Sequence, residues 1–168
     1  MKSRIGVMLF AIVFAISCSS DNDENSNTQN TIIGTWDAVE LKVDSDTASE
    51  YALIGGQILK FLSNKDCFII TLTFSEDLTA VAKNAIATAI STATLDSGGL
   101  QVPCPASNSF ETVSNTYTYG SGVVSFLNED GETIEVPVAI KGDKMTVNAA
   151  SLQLADFNEG GELVFKRR

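Results

Sequence analysis

The sequence predicts an all-β fold: an antiparallel up-and-down β-barrel of about eight strands, with a short helix after the first strand. Three observations predict it. From Glu111 onward, residues 112–119, 122–127, 133–140, 144–148 and 162–166 each alternate apolar with polar side chains, the period of a strand that buries one face. Between these runs stand Gly120-Ser121-Gly122, Asn128-Glu129-Asp130-Gly131, Lys141-Gly142-Asp143 and Asn158-Glu159-Gly160-Gly161, the turn chemistry that joins hairpins. Connections this short leave neighbouring strands antiparallel, and about eight such strands can close on themselves and lose their exposed edges.

The chain begins with an address. Lys2 and Arg4 precede twelve uncharged residues, 5–16 (IGVMLFAIVFAI), which are too few for the roughly 20 of a spanning helix and match the apolar region of a signal segment. Ala15-Ile16-Ser17-Cys18 closes that run. It resembles the bacterial lipobox, whose cysteine is acylated and becomes the new N-terminus. The resemblance implies a signal peptide at 1–17, lipidation at Cys18 (palmitate among the acyl chains) and a membrane partner held through that anchor. No other apolar run approaches spanning length. Residues 19–30 (SSDNDENSNTQN) contain no hydrophobic side chain, so nothing there offsets the entropy of ordering, and 18–30 reads as a lipidated flexible tether. Ser19 after the cysteine is similar to outer-membrane sorting. Asp21, Asp23 and Glu24 resemble a surface-export tag, which favours the cell surface over the periplasmic face.

The folded part is expected over 31–168. Trp36, Val39, Leu41 and Val43 within 32–43 mark a first strand, with Asp37, Glu40 and Lys42 as polar counterparts. Thr47-Ala48-Ser49-Glu50 reads as a capping box with Thr47 at the N-cap. Tyr51, Ile54, Ile58, Phe61 and Leu62 then place an apolar stripe on a short helix that lids or plugs the barrel. Gly55-Gly56 weakens that helix by about 1 kcal/mol per glycine. Residues 67–74 (CFIITLTF) read as a strand with Phe68, Ile70, Leu72 and Phe74 on one face, and 79–83 as its hairpin partner. Residues 85–95 carry mixed signals: Ile86 and Ile90 suit a helical turn, whereas the threonines suit extended chain. Pro103 and Pro105 place 101–108 in a loop.

Removal of the signal segment leaves Cys67 and Cys104 in an oxidising compartment. With no third thiol in the domain, they fit one disulfide. It closes a loop of about 38 residues and contributes roughly 4 kcal/mol on the chain-entropy model. A redox or nucleophilic role lacks both a histidine partner and a C-x-x-C spacing.

Ile32 to Trp36 (IIGTW) at the head of a β-meander resembles the lipocalin superfamily, and most closely the small lipocalin-like domains of bacterial lipoproteins. Those begin with an I-x-G-x-W strand soon after the lipidated cysteine and end on a short basic strand, as Gly161 to Arg168 (GELVFKRR) does. Phe74 followed by Ser75-Glu76-Asp77-Leu78-Thr79 resembles the family's Asp-Gly-Thr hairpin, with Leu78 in place of the glycine. The resemblance implies that Gly34, Trp36 and Arg167 form the barrel-closing motif, with the Arg167 guanidinium packed across the Trp36 indole. Lys166 and Arg168 flank that arginine, so the assignment can slip by one. The fuller signature of the middle strands is missing, and residues 85–108 exceed a simple hairpin.

Composition narrows the function. Eleven Lys and Arg against 21 Asp and Glu give a formal charge of −10, which becomes −12 once Lys2 and Arg4 leave with the signal segment. An acidic domain without clustered bases is a poor nucleic-acid partner. Zero histidines remove Ser-His and Cys-His catalytic pairs and His-ligated metals. No G-x-S-x-G, P-loop, G-x-G-x-x-G or calcium-loop pattern occurs. The expectation is therefore a non-enzymatic lipoprotein, with no catalytic residue, metal or cofactor. Its barrel binds a small apolar or amphipathic ligand at residues that are not identified. The alternative is a structural or interaction module of the cell envelope whose interior is filled by Phe68, Phe74, Phe110, Tyr117, Tyr119, Phe126, Phe157 and Phe165.

Overall fold

The computed structural model describes residues 32–43, 46, 48–128, 130–152 and 161–168. The signal segment, Cys18, the tether, Thr47 and Phe157 lie outside the described residues. In chain order the elements are β1 (Gly34–Lys42), α1 (Glu50–Ser63), β2 (Ile70–Phe74), β3 (Thr79–Asn84), α2 (Ile86–Thr92), β4 (Thr94–Asp96), β5 (Gly99–Gln101), β6 (Glu111–Gly120), β7 (Val123–Leu127), β8 (Thr133–Lys141), β9 (Lys144–Asn148) and β10 (Glu162–Arg167), with 3-10 turns at Ser107–Ser109 and Ala149–Leu152. Eight strands close an antiparallel barrel in the order β1-β10-β9-β8-β7-β6-β3-β2, and β4-β5 form a separate hairpin. The up-and-down fold class is the one the alternation predicts.

Register defines the inner face. Trp36 stands opposite Leu72 and Arg167, Ala38 opposite Phe165, Met145 opposite Phe165 and Ile140, and Val147 opposite Leu163 and Val138. Further round, Val124 faces Val136 and Tyr119, and Tyr117 faces Phe126. Directly opposed residues of antiparallel strands point the same way. Trp36, Phe165, Met145 and Leu163 are fully buried there.

Two apolar phases in the first strand are reconciled by a bulge. Trp36 and Ala38 share one parity and Leu41 the other, yet all three are buried. The ladder to β10 shifts between Ala38 and Glu40, which leaves Val39 as the extra residue and returns Leu41 to the inner face opposite Leu163.

Helix α1 differs from the expected stripe. Its N-cap is Ser49, whose hydroxyl accepts from the Ala52 N–H at 3.2 Å; the helix starts one residue after this cap. The buried residues are Ala52, Gly55, Ile58, Leu59 and Leu62, while Tyr51 and Ile54 are exposed. The helix packs on β1 through its small face: a Cβ at Gly56 would stand 3.4 Å from the Leu41 carbonyl oxygen. The Ser63 hydroxyl donates to the Val39 carbonyl at 3.0 Å, which ties the helix end to the bulge.

Phe68 also departs from expectation. It precedes β2, and its ring lies 5.7 Å from the Arg168 guanidinium on the outer side, away from the interior. Residues 85–95 satisfy both of their signals in succession, as α2 followed by β4. No helix among the described residues is long and apolar enough to cross a membrane.

Candidate functional site

The strand directions give the barrel two unlike ends. At one, the connections are tight turns: Ser75–Leu78, Ser121-Gly122 and Gly142-Asp143, beside the start of β1 and the end of β10. Ser121 (φ 52°) and Gly122 (φ 75°) are both left-handed, as a two-residue hairpin turn matched to strand twist requires. At the other end sit α1, α2, the β4-β5 hairpin and the 3-10 turn after β9.

Trp36 closes the turn end. Its indole Nε1 donates to the Ile32 carbonyl at 2.7 Å, so its one polar atom is satisfied in a fully buried site. The Arg167 guanidinium sits 4.3 Å from the ring centroid and donates from Nη1 to the Ile33 carbonyl at 3.0 Å. The register opposes Trp36 to Arg167 and turns Lys166 outward, which fixes the assignment among the three terminal bases. Gly34 holds φ +132° at the strand entry, with Arg167 Nη1 3.8 Å from where a Cβ would stand. An L side chain is strained at that angle, which is why a glycine precedes the tryptophan by two.

Asp37 and Arg168 carry a contact that sequence reading missed. Asp37 is buried on the outer face. Its carboxylate accepts from Arg168 Nε at 2.9 Å and Nη2 at 2.6 Å, and from the Thr71 hydroxyl at 2.8 Å. This is a bidentate arginine clasp between the last residue of the chain and the first strand. In sequence, Asp37 was only the polar half of an alternating strand, so nothing marked it as buried.

At the helix end, Cys67 and Cys104 form a disulfide, with Cα atoms 5.9 Å apart. It ties the segment entering β2 to the loop after β5. Arginine and disulfide thus brace opposite ends of the barrel.

The inner wall is sealed unevenly. Along β1, β9 and β10 it is shut. Along β3 and the first half of β6 the inward positions are Ala80, Ala82 and Asn84, opposite Asn115, Val113 and Glu111, with Phe126 and Ile134 next on β7 and β8. Val113 faces Ala82 in the ladder yet is 58% exposed. The alanines opposite are too small to cover it. The ladder between β6 and β7 begins only at Tyr117, so the first residues of β6 run beyond their neighbour on that side. This wall of small residues carries polar side chains at Asn84, Glu111 and Asn115, and Val113 is its exposed apolar member. Sequence reading named no ligand residues; alanines on a short strand carry no signal until pairing places them opposite one another.

Among the described residues no three acidic or thiol side chains converge to hold a metal ion. Neither a protein-family model nor a curated protein matches the chain. Among solved structures it is similar to the crystal structure of an uncharacterized protein from Bacteroides eggerthii DSM 20697, at 12% identity, over 82% of this chain and 99% of that one, with a TM-score of 0.40.

Proposed function

We propose that the protein is a non-catalytic, lipocalin-like lipoprotein of the outer membrane, anchored through Cys18 and displayed at the cell surface. Its barrel binds one small apolar or amphipathic molecule against the β3-β6 wall. The observation that carries the ligand reading is Val113, an inward-facing side chain that is 58% exposed opposite Ala82. A wall with apolar Ala80, Ala82 and Val113 beside polar Asn84, Glu111 and Asn115 suits a ligand with an apolar body and a polar end. An eight-stranded barrel has room for one such molecule. The lipobox-like Ala15 to Cys18 segment supports the anchor, and Gly34, Trp36 and Arg167 support the lipocalin-like reading.

Native mass spectrometry of protein purified from its own host tests the ligand. A co-purified mass that disappears in Ala82→Phe, with the fold retained by circular dichroism, is the expected outcome. No adduct in the unaltered protein would refute it. For the anchor, the N-terminal peptide should carry acyl mass, and Cys18→Ala should leave the membrane fraction.

A second reading, a structural module with a side-chain-filled barrel, is favoured by the fully buried Trp36, Met145, Leu163 and Phe165 along β1, β9 and β10. An Ala82→Phe variant that gains stability and loses nothing else would favour it.

A further inference from the structure

An acidic protein carries one basic row that its own folding does not use. Lys141 stands directly opposite Lys144 across the β8-β9 ladder, and Lys144 directly opposite Lys166 across β9-β10. All three are exposed and lie on the outer face, since their neighbours Ile140, Met145 and Phe165 point inward. Like charges placed opposite one another on a sheet repel, and three in a row across adjacent strands cost the barrel stability. Among the described residues none of the three forms an ion pair or side-chain hydrogen bond.

The neighbouring carboxylates do not neutralise the row. Asp37 is opposite Lys166 in the ladder, but both its oxygens are held by Arg168 and Thr71. Asp143 lies in the turn between Lys141 and Lys144 and makes no ion pair among the described residues. The next outward row, Ala139, Thr146 and Val164, is uncharged on β8, β9 and β10; Glu40 continues it on β1, on the side of Lys42. Glu76 and Asp77 belong to the β2-β3 turn, on the opposite side of the barrel rim. The row spans two inter-strand spacings, roughly 10 Å, and the Arg168 guanidinium, 60% exposed, lies one strand further along.

We infer that this face of the turn end docks on an anionic lipid surface, the lysine ammonium groups meeting headgroup phosphates. Two facts select a membrane as the occupant. The row is the one concentration of unpaired positive charge among the described residues of a chain with formal charge −10. It also lies at the end of the barrel where β1 begins, so the chain that precedes the domain enters on the same side. In that respect the inference rests on the proposed lipid anchor, which would bring this end to the bilayer. The acidic remainder does not oppose docking: charges more than a Debye length away, about 8 Å at physiological salt, are screened, whereas juxtamembrane lysines act within that length.

Lysine footprinting of the full chain tests it. The protein, with its N-terminus as its host leaves it, is acetylated with an N-hydroxysuccinimide ester. This is done alone, with phosphatidylcholine vesicles, and with vesicles that also contain phosphatidylglycerol; each digest is then read by mass spectrometry. The expected result is that labelling of Lys141, Lys144 and Lys166 falls by about threefold or more on phosphatidylglycerol vesicles only, and recovers in 1 M salt, where the Debye length is about 3 Å. Lys60, Lys65 and Lys83 should keep their reactivity. Equal labelling in all conditions overturns the inference. So does protection by dissolved heparin with none by the vesicles, which would point to a soluble polyanion. The N-terminal peptide of the same digest reports acylation separately. Protection without acyl mass upholds the docking face and refutes the anchor; acyl mass without protection does the reverse.

Discussion

The two ends of the barrel are closed by different physics. The turn end is shut by side chains of a single strand pair: Trp36 plugs it, Arg167 covers the indole, and Arg168 clasps Asp37. Its connections are two to four residues long, so little chain entropy opposes closure. The helix end is bridged by long connections bearing α1, α2 and a three-residue hairpin pair. A seven-residue helix such as α2 has little stability of its own, and a covalent link through Cys67–Cys104 supplies what local structure does not. Short loops let side chains do the closing, whereas long loops need a staple. The exposed Val113 lies toward the stapled end, so the wall proposed for a ligand is found where closure is least dependent on a packed core.

This contrast can be broken from either side. Trp36→Ala should have the largest effect, about 3–5 kcal/mol. It also leaves Arg167 without its ring, and loss of a cooperative transition in chemical denaturation checks it. Replacing both cysteines by serine should cost about 2–4 kcal/mol, with a different footprint. Hydrogen exchange should accelerate first in α2 and residues 94–110, while β9 and β10 amides at the turn end stay protected. Uniform acceleration would show that the two ends are one cooperative unit.

Arg168→Ala should cost about 2 kcal/mol by leaving the Asp37 carboxylate buried with only Thr71, tempered by the exposure of the guanidinium. Adding Asp37→Asn to that variant should recover part of the loss in the same denaturation measurement. Leu78→Gly should go the other way. Leu78 sits at φ 64° in the β2-β3 turn, a left-handed conformation that costs a branched residue about 1–2 kcal/mol, so a stabilisation of about 1 kcal/mol is expected as a rise in Tm.

The smallest effect concerns Tyr117. Burial, followed by the negative charge of Asp77, holds its phenol above the ordinary tyrosine value. A group raised in the folded state stabilises fully below its unfolded value, about 10, and loses that contribution as pH rises through the folded value. Tyr117→Phe should therefore flatten the alkaline limb of a stability–pH curve while leaving neutral pH nearly unchanged. It forgoes only a 3.2 Å hydrogen bond to the Ser75 carbonyl.

The strands after Glu111 were legible because alternation and turn glycines agree at every step, and β6 to β10 fall within a residue or two of their expected bounds. Helix α1 was legible as a helix but not in its facing. Tyr51 and Ile54 look like core residues by hydrophobicity, yet the buried face is the one with Gly55 and Ala52, chosen by how closely the helix lies on β1. The bulge at Val39 was hidden because two incompatible parities in a short strand read as noise until a partner strand fixes the register.

For this protein, the sequence by itself determined the number of barrel strands, their antiparallel order and the cysteine staple, since these depend on periodicity, turn chemistry and the absence of a third thiol in the domain; the separate β4-β5 hairpin it did not mark. It marked Gly34, Trp36 and a terminal arginine through resemblance. Only the tertiary structure decided which arginine covers Trp36, that Asp37 is buried beneath the other, that Val113 faces an uncovered inner wall, and that Lys141, Lys144 and Lys166 line up. Each of these depends on the pairing of residues far apart in the chain, and register is a property of two strands that neither carries alone.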